Sequence, residues 1–225
     1  MARRTKEEAL ETRNQILDAA ERLFQQQGVS RTSLQAIASE AGITRGAIYW
    51  HFKDKADLFN AMMERIPWPI EQCYLGGGGV CPQLEEGSAG AAIGSLQQIL
   101  RDSLMVIIDD AQVRRLLEIA NYQIEYTEEM DAVRERMLQA HQAFYDRNLM
   151  AFGHPRVRPL LRAGVSPENA AKTMQHALLG LIDLWVLTPG AFDLREAVEA
   201  AMDIVLHGVG ITPAALAASD AAHPA

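Results

Sequence analysis

The chain has 225 residues, 48% hydrophobic and 22% charged, with a mean hydropathy of −0.07; it can fill a large core, and whole-chain disorder is excluded. No apolar run reaches the roughly 18 residues of a membrane span, and the polar start Met1–Glu8 leads into no export signal. The net charge of −8 argues against a nucleic-acid partner, but it is split, with +1 over residues 1–66 and −9 over residues 67–225, as expected for a small module that tolerates a polyanion joined to a larger one that does not.

The first helix is predicted from Thr5, where Thr5-Lys6-Glu7-Glu8 reads as a capping box, with Ile16, Leu17, Ala20, Leu23 and Phe24 as its apolar stripe and Gly28 as its stop. Thr32-Ser33-Leu34-Gln35 opens a second helix that ends at Gly42. Thr44 caps a very short third helix, Arg45 to about His51, and Asp54 caps a fourth that buries Leu58, Phe59, Met62, Met63 and Ile66. Pro67 and Pro69 end it. Residues 72–90, with glycine at 76–79, form a loop; the glycine run lacks the Lys-Ser/Thr and the preceding strand of a phosphate loop. Five further helices are predicted at 91–108, 111–122, 127–152, 167–187 and 194–208, and the alanine-rich residues 213–225 are expected to be a disordered tail. The fold class is all-α, with about nine helices.

Leu34 to Lys55 carries the chemistry. Two short helices joined through Gly42 form a helix-turn-helix pattern. The second, about two turns long, cannot stand alone and must be held by its neighbours, which frees its outer face: Thr44, Arg45, Gly46, Tyr49, Trp50 and His51. A donor fork, a bare backbone, hydroxyls and aromatic rings suit a major groove. Lys55, in the first turn of the next helix, opposes the macrodipole unless an anion docks there.

The run Ile43-Thr44-Arg45-Gly46-Ala47-Ile48-Tyr49-Trp50-His51-Phe52-Lys53-Asp54-Lys55-Ala56-Asp57-Leu58 closely resembles the DNA-binding domain of TetR-family repressors. The opening Arg3-Arg4-Thr5-Lys6-Glu7-Glu8 and Glu11-Thr12-Arg13 resembles the AcrR/TtgR type, which controls multidrug efflux pumps. The resemblance implies that Arg45 and Gly46 approach base edges. It implies that Thr44, Tyr49, Trp50, His51 and Lys55 meet or flank phosphates, as do Thr32 and Ser33, that Phe52 packs inward, and that Arg3, Arg4 and Lys6 form an arm along the backbone or minor groove.

Residues 67–225 hold no catalytic constellation. The six histidines make no metal-binding pair, there is no Gly-x-Ser-x-Gly elbow, and no cofactor or metal is expected. Cys73 and Cys81, eight apart, fit neither a zinc spacing nor a disulfide framework, which favours two unrelated thiols in a reducing, cytoplasmic setting over a redox switch. The helices at 167–187 and 194–208 are apolar beyond one stripe and so bury more than one face. A four-helix dimer interface with Leu181, Val198, Ala201, Ile204 and Val205 is expected, and the resemblance implies the same. The remaining inner faces suit a small molecule, with Ile66, Trp68, Ile93, Leu96, Leu100, Asn121, Tyr122, Met137, His141, Phe144, Met174, Leu178, Ile182, Asp183 and Trp185 as candidate lining.

The expectation is a homodimeric repressor with a DNA-binding domain over 1–66 and a ligand-binding and dimerisation domain over 67–212. It acts on double-stranded operator DNA, is released by a bulky apolar or cationic effector, and touches no membrane. The alternatives are a repressor of a metabolic operon with one specific effector and a DNA reader fused to a catalytic helical domain.

Overall fold

Ten α-helices and two 3-10 turns make up residues 6–66 and 87–222, the residues described in this computed structural model, and no strand occurs among them. The chain divides into two compact units. The first holds described residues 6–66 and 110–138, the second 87–109 and 139–222. Residues 110–138 thus group with the head, whereas the sequence pattern suggested a boundary at 66.

In the first unit, α1 (Lys6–Gln27) buries Ile16, Leu17, Ala20 and Phe24 of the expected stripe and leaves Leu23 half-buried. Three short helices follow: α2 (Leu34–Glu40), α3 (Arg45–Ile48) and α4 (Lys55–Met63). Helix α3 ends sooner than expected; Trp50 and His51 continue as turns, donating to the carbonyls of Ala47 and Ile48. Helix α6 (Ala111–Tyr122) packs on α1. The buried carboxylate of Glu21 organises that contact, accepting from Arg115 Nε at 2.9 Å and Gln112 Nε2 at 2.7 Å, while Arg65 pairs with Asp18 at 2.6 Å. A charge held at this depth is tolerated because its lone pairs are filled. A 3-10 turn (Glu128–Met130) leads into α7 (Asp131–Gly153), whose residues 131–138 belong to this unit.

In the second unit, α5 (Ala89–Asp109), residues 139–153 of α7, α8 (Pro167–Leu187), α9 (Leu194–Val209) and α10 (Pro213–Ala222) bury Leu96, Leu100, Phe144, Met174, Leu178 and Met202. Ser166 caps α8 and Asp193 caps α9, as their sequence contexts predict. Gly210 ends α9 at φ +102°; a Cβ there would lie 2.8 Å from the Leu160 carbonyl oxygen. By length and composition α5 could cross a membrane, but it carries Arg101 and Asp102 at its middle, and Arg101 makes a bidentate pair with Glu199 of α9 at 2.6 and 2.9 Å, as in a packed bundle.

The expected disordered tail is helical from 213 to 222. Helix α10 packs on α5, and Asp220 accepts from the free N–H groups of Ala89 (2.7 Å) and Gly90 (3.1 Å). Gly90 makes room, since a Cβ would lie 2.8 Å from that carboxylate. A helix N-terminus distant in sequence thus supplies the partner that orders the tail.

Candidate nucleic-acid interface

Helix α3 is a single turn, capped by the Thr44 hydroxyl, which accepts from Ala47 N–H at 3.3 Å. It is held from beneath by Ile48 (0% exposed) and Phe52 (2%), so Phe52 packs inward as expected. Thr44, Arg45, Gly46 and Tyr49 are left at the surface, with Trp50 90% exposed. His51 is half-buried, its ring 6.3 Å from that of Phe52. The Arg45 guanidinium lies 5.8 Å from the Tyr49 ring centre and donates to Tyr49 Oη at 3.3 Å. This intrahelical contact aligns a cation and a phenol on one exposed surface.

Two expected phosphate contacts are corrected. Ser33, not Thr32, caps α2, accepting from Ala36 N–H at 3.1 Å. Thr32 is buried and donates to the Gly28 carbonyl at 2.7 Å, so its hydroxyl is consumed inside the fold. Lys55 is buried as well, with Nζ 3.4 Å from the carbonyl oxygens of Ser30 and Thr32 and 3.3 Å from Glu129 Oε2. Its unfavourable place in a first helical turn is offset by these internal acceptors rather than by a docked anion. Lys6 is exposed at the start of α1; Arg3, Arg4 and Thr5 lie outside the described residues.

The effector candidates fall into groups. Ile66, Asn121, Tyr122 and Met137 belong to the first unit, where Asn121 and Tyr122 are exposed. Ile93, Leu96, Leu100, Phe144, Met174 and Leu178 are core of the second unit, with Ile182, Asp183 and Trp185 half-buried and His141 exposed. Burial pushes the Asp183 carboxyl above its ordinary range, and nearby His141 pulls it back down. A cleft of about 730 Å³ opens beside the start of α8, between Leu149, Arg158, Arg162 and Glu168, and none of the candidates lines it. Trp68, Cys73 and Cys81 lie outside the described residues. Among those residues no group of His, Cys, Asp and Glu is arranged to hold a metal.

On α9, Val198 (2% exposed) and Val205 (8%) are buried within the chain's own fold and offer a partner little surface, which corrects their expected place in a dimer contact. Ile204 is 72% exposed, and Leu184 and Leu187 of α8 are exposed as well. Leu181 and Ala201 are half-buried. Sequence periodicity shows that α9 has two apolar faces but not which one the subunit consumes.

A helix-turn-helix head with an outward aromatic and cationic face, followed by a larger helical bundle, is the architecture of a DNA-binding transcriptional regulator. Residues 16–62 match the bacterial regulatory proteins of the tetR family, and residues 92–210 match the C-terminal region of MAATS-type transcriptional repressors. The chain belongs to the TetR family of transcriptional repressors, a family of regulators and not of enzymes. It is 38% identical over 206 residues to the HTH-type transcriptional regulator AcrR of Shigella flexneri, covering 92% of this chain and 93% of that protein. It also resembles the crystal structure of NalD, the secondary repressor of the MexAB-OprM multidrug efflux pump in Pseudomonas aeruginosa, with a TM-score of 0.80 and 33% identity over 91% of this chain and 98% of that one. A complex of SmeT with triclosan matches with a TM-score of 0.70 and 29% identity, over 88% and 91% of the respective chains.

Proposed function

We propose that this protein is a homodimeric, cytoplasmic repressor of a multidrug-efflux operon, which holds a palindromic operator through α3 and is released by bulky apolar or cationic effectors. The observation that carries the reading is the exposed face of α3. Trp50, 90% exposed beside Arg45 and Tyr49, buries little within the subunit and leaves a large aromatic surface for an external partner. Similarity along nearly the whole chain to NalD supports the efflux assignment, and likeness to the triclosan-bound SmeT supports an apolar effector. Arg45 and Gly46 read base edges, while Ser33, Thr44, Tyr49, Trp50 and His51 position the head against phosphates. Ile204, Leu181 and Ala201, with Leu184 and Leu187, form the two-fold interface that sets two reading helices about 34–36 Å apart, one turn of DNA.

The effector works by binding the DNA-incompetent state more tightly. Its lining comes from the second-unit residues of α5, α7 and α8 named above. There Asp183, a carboxylate disfavoured by burial, gains from a bound cation. The test is release of a labelled operator duplex by tetraphenylphosphonium, a bulky cation, and by triclosan, a largely uncharged phenol. Both are expected to release the parent. Asp183→Asn is expected to weaken the cation roughly tenfold and triclosan hardly at all. Equal weakening of both assigns Asp183 a structural role, and release by neither contradicts multidrug sensing.

A further inference from the structure

Helix α4 is gripped at both ends by one short stretch of chain. At its start, the buried Lys55 ammonium is shared between the Ser30 and Thr32 carbonyls, which lead into α2, and the Glu129 carboxylate at 3.3 Å. At its end, Arg136 Nη1 donates to Glu64 Oε1 at 3.2 Å and to the Asn60 carbonyl at 3.5 Å. Between the anchors, Met130 and Val133 are each 1% exposed. The spacings agree. Seven residues from 129 to 136 rise about 11 Å, close to the roughly 13 Å from 55 to 64 along α4.

We propose that residues 128–136 are a two-ended clamp that positions α4 and, through Lys55 and α2, the reading helix, with Glu129 and Arg136 as positioning residues. The one-turn helix α3 has no stability of its own and packs on α2. Lys55 makes the link direct, because the ammonium that Glu129 holds also holds the backbone just before Ser33, the cap of α2. The proposal rests on the DNA-reading role given to α3.

The test separates position from charge. The double variant Glu129→Gln/Arg136→Gln leaves the net charge unchanged, so the electrostatic attraction that governs non-specific binding is preserved. The probes are a duplex enriched by the parent from a random pool and a scrambled duplex of the same length. In the double variant the preference for the enriched duplex is expected to fall about tenfold, with scrambled-duplex affinity and its salt slope unchanged. Arg136→Glu is expected to lose preference at least as far, and Arg136→Glu/Glu64→Arg to recover to within about threefold of the parent, as a swapped ion pair should. Amide exchange over residues 55–63 is expected to quicken about fivefold in the double variant and in Arg136→Glu, and to slow again on the swap. If the double variant melts below the assay temperature, Glu129→Gln alone serves, with about a threefold loss expected. Unchanged preference with unchanged exchange, or a swap that restores neither, overturns the clamp. A parent that prefers neither duplex instead removes the DNA-reading role itself, and the clamp with it.

Discussion

The first unit surrounds its 22-residue α1 with helices of four, seven, nine and twelve residues, whereas the second relies mainly on helices of 21, 21 and 16 residues. Short helices carry little stability of their own, and the head compensates with polar ties: Glu21 to Arg115 and Gln112, Arg65 to Asp18, Lys55 to Glu129, and Arg136 to Glu64. The second unit buries long apolar faces, with ties such as Arg101 to Glu199 and Asp220 to the start of α5 among its described residues. The difference is one of tolerance. A head held by directional contacts presents a precise surface and is sensitive to single charges, while a bundle held by apolar area can adapt to varied small molecules.

That contrast predicts where single changes cost most. The largest effect is expected at Ile204, whose exposed side chain lies in the proposed contact with another copy. Ile204→Glu should leave the subunit folded but cost the dimer about 2–4 kcal/mol through an unpaired charge at the interface. Sedimentation should show monomer, with operator affinity lost. A folded monomer that still binds operator fully would break the symmetric arrangement. Next comes Glu21→Ala in the head, which removes a buried acceptor shared by Arg115 and Gln112 and should destabilise the chain by about 2–3 kcal/mol, measured by urea unfolding.

The smallest effect is expected at Glu199. The Arg101 hydrogen bond holds its carboxyl below the ordinary value of 4.5. A carboxyl depressed in the folded state contributes stability above its unfolded pKa and loses it as pH falls through the folded value. Glu199→Gln should therefore cost about 0.5–1 kcal/mol at pH 7, since both side chains are partly solvated, and the gap from the parent should close as pH falls through the depressed folded value. A gap that persists in acid would mean that packing, not charge, is lost.

Local rules made much of this legible. The caps at Thr44, Asp54, Ser166 and Asp193 stand beside the helices they start, and a reader of sequence needs only neighbouring residues to find them. The exposed face of α3 was legible for the same reason, because a helix too short to bury more than Ile48 must expose the rest. What escaped depends on partners far along the chain. Thr32 and Lys55 have the composition of phosphate contacts, but their hydrogen-bonding capacity is taken by Gly28, Ser30 and Glu129. The tail reads as disordered until Asp220 meets an N-terminus 131 residues earlier. Val198 and Ile204 differ only in which face of α9 the subunit keeps for itself.

The most direct test of the reading face is Arg45→Ala, measured as the ratio of affinities for the enriched and scrambled duplexes over a range of salt. Arg45 touches only Tyr49 of its own helix among the contacts described, so the fold should survive its removal. The ratio should collapse by about 1–3 kcal/mol, the worth of a bidentate guanine contact, while binding to scrambled DNA changes far less. A variant that keeps the parent's ratio at every salt concentration would contradict the assignment of α3 as the element that reads DNA.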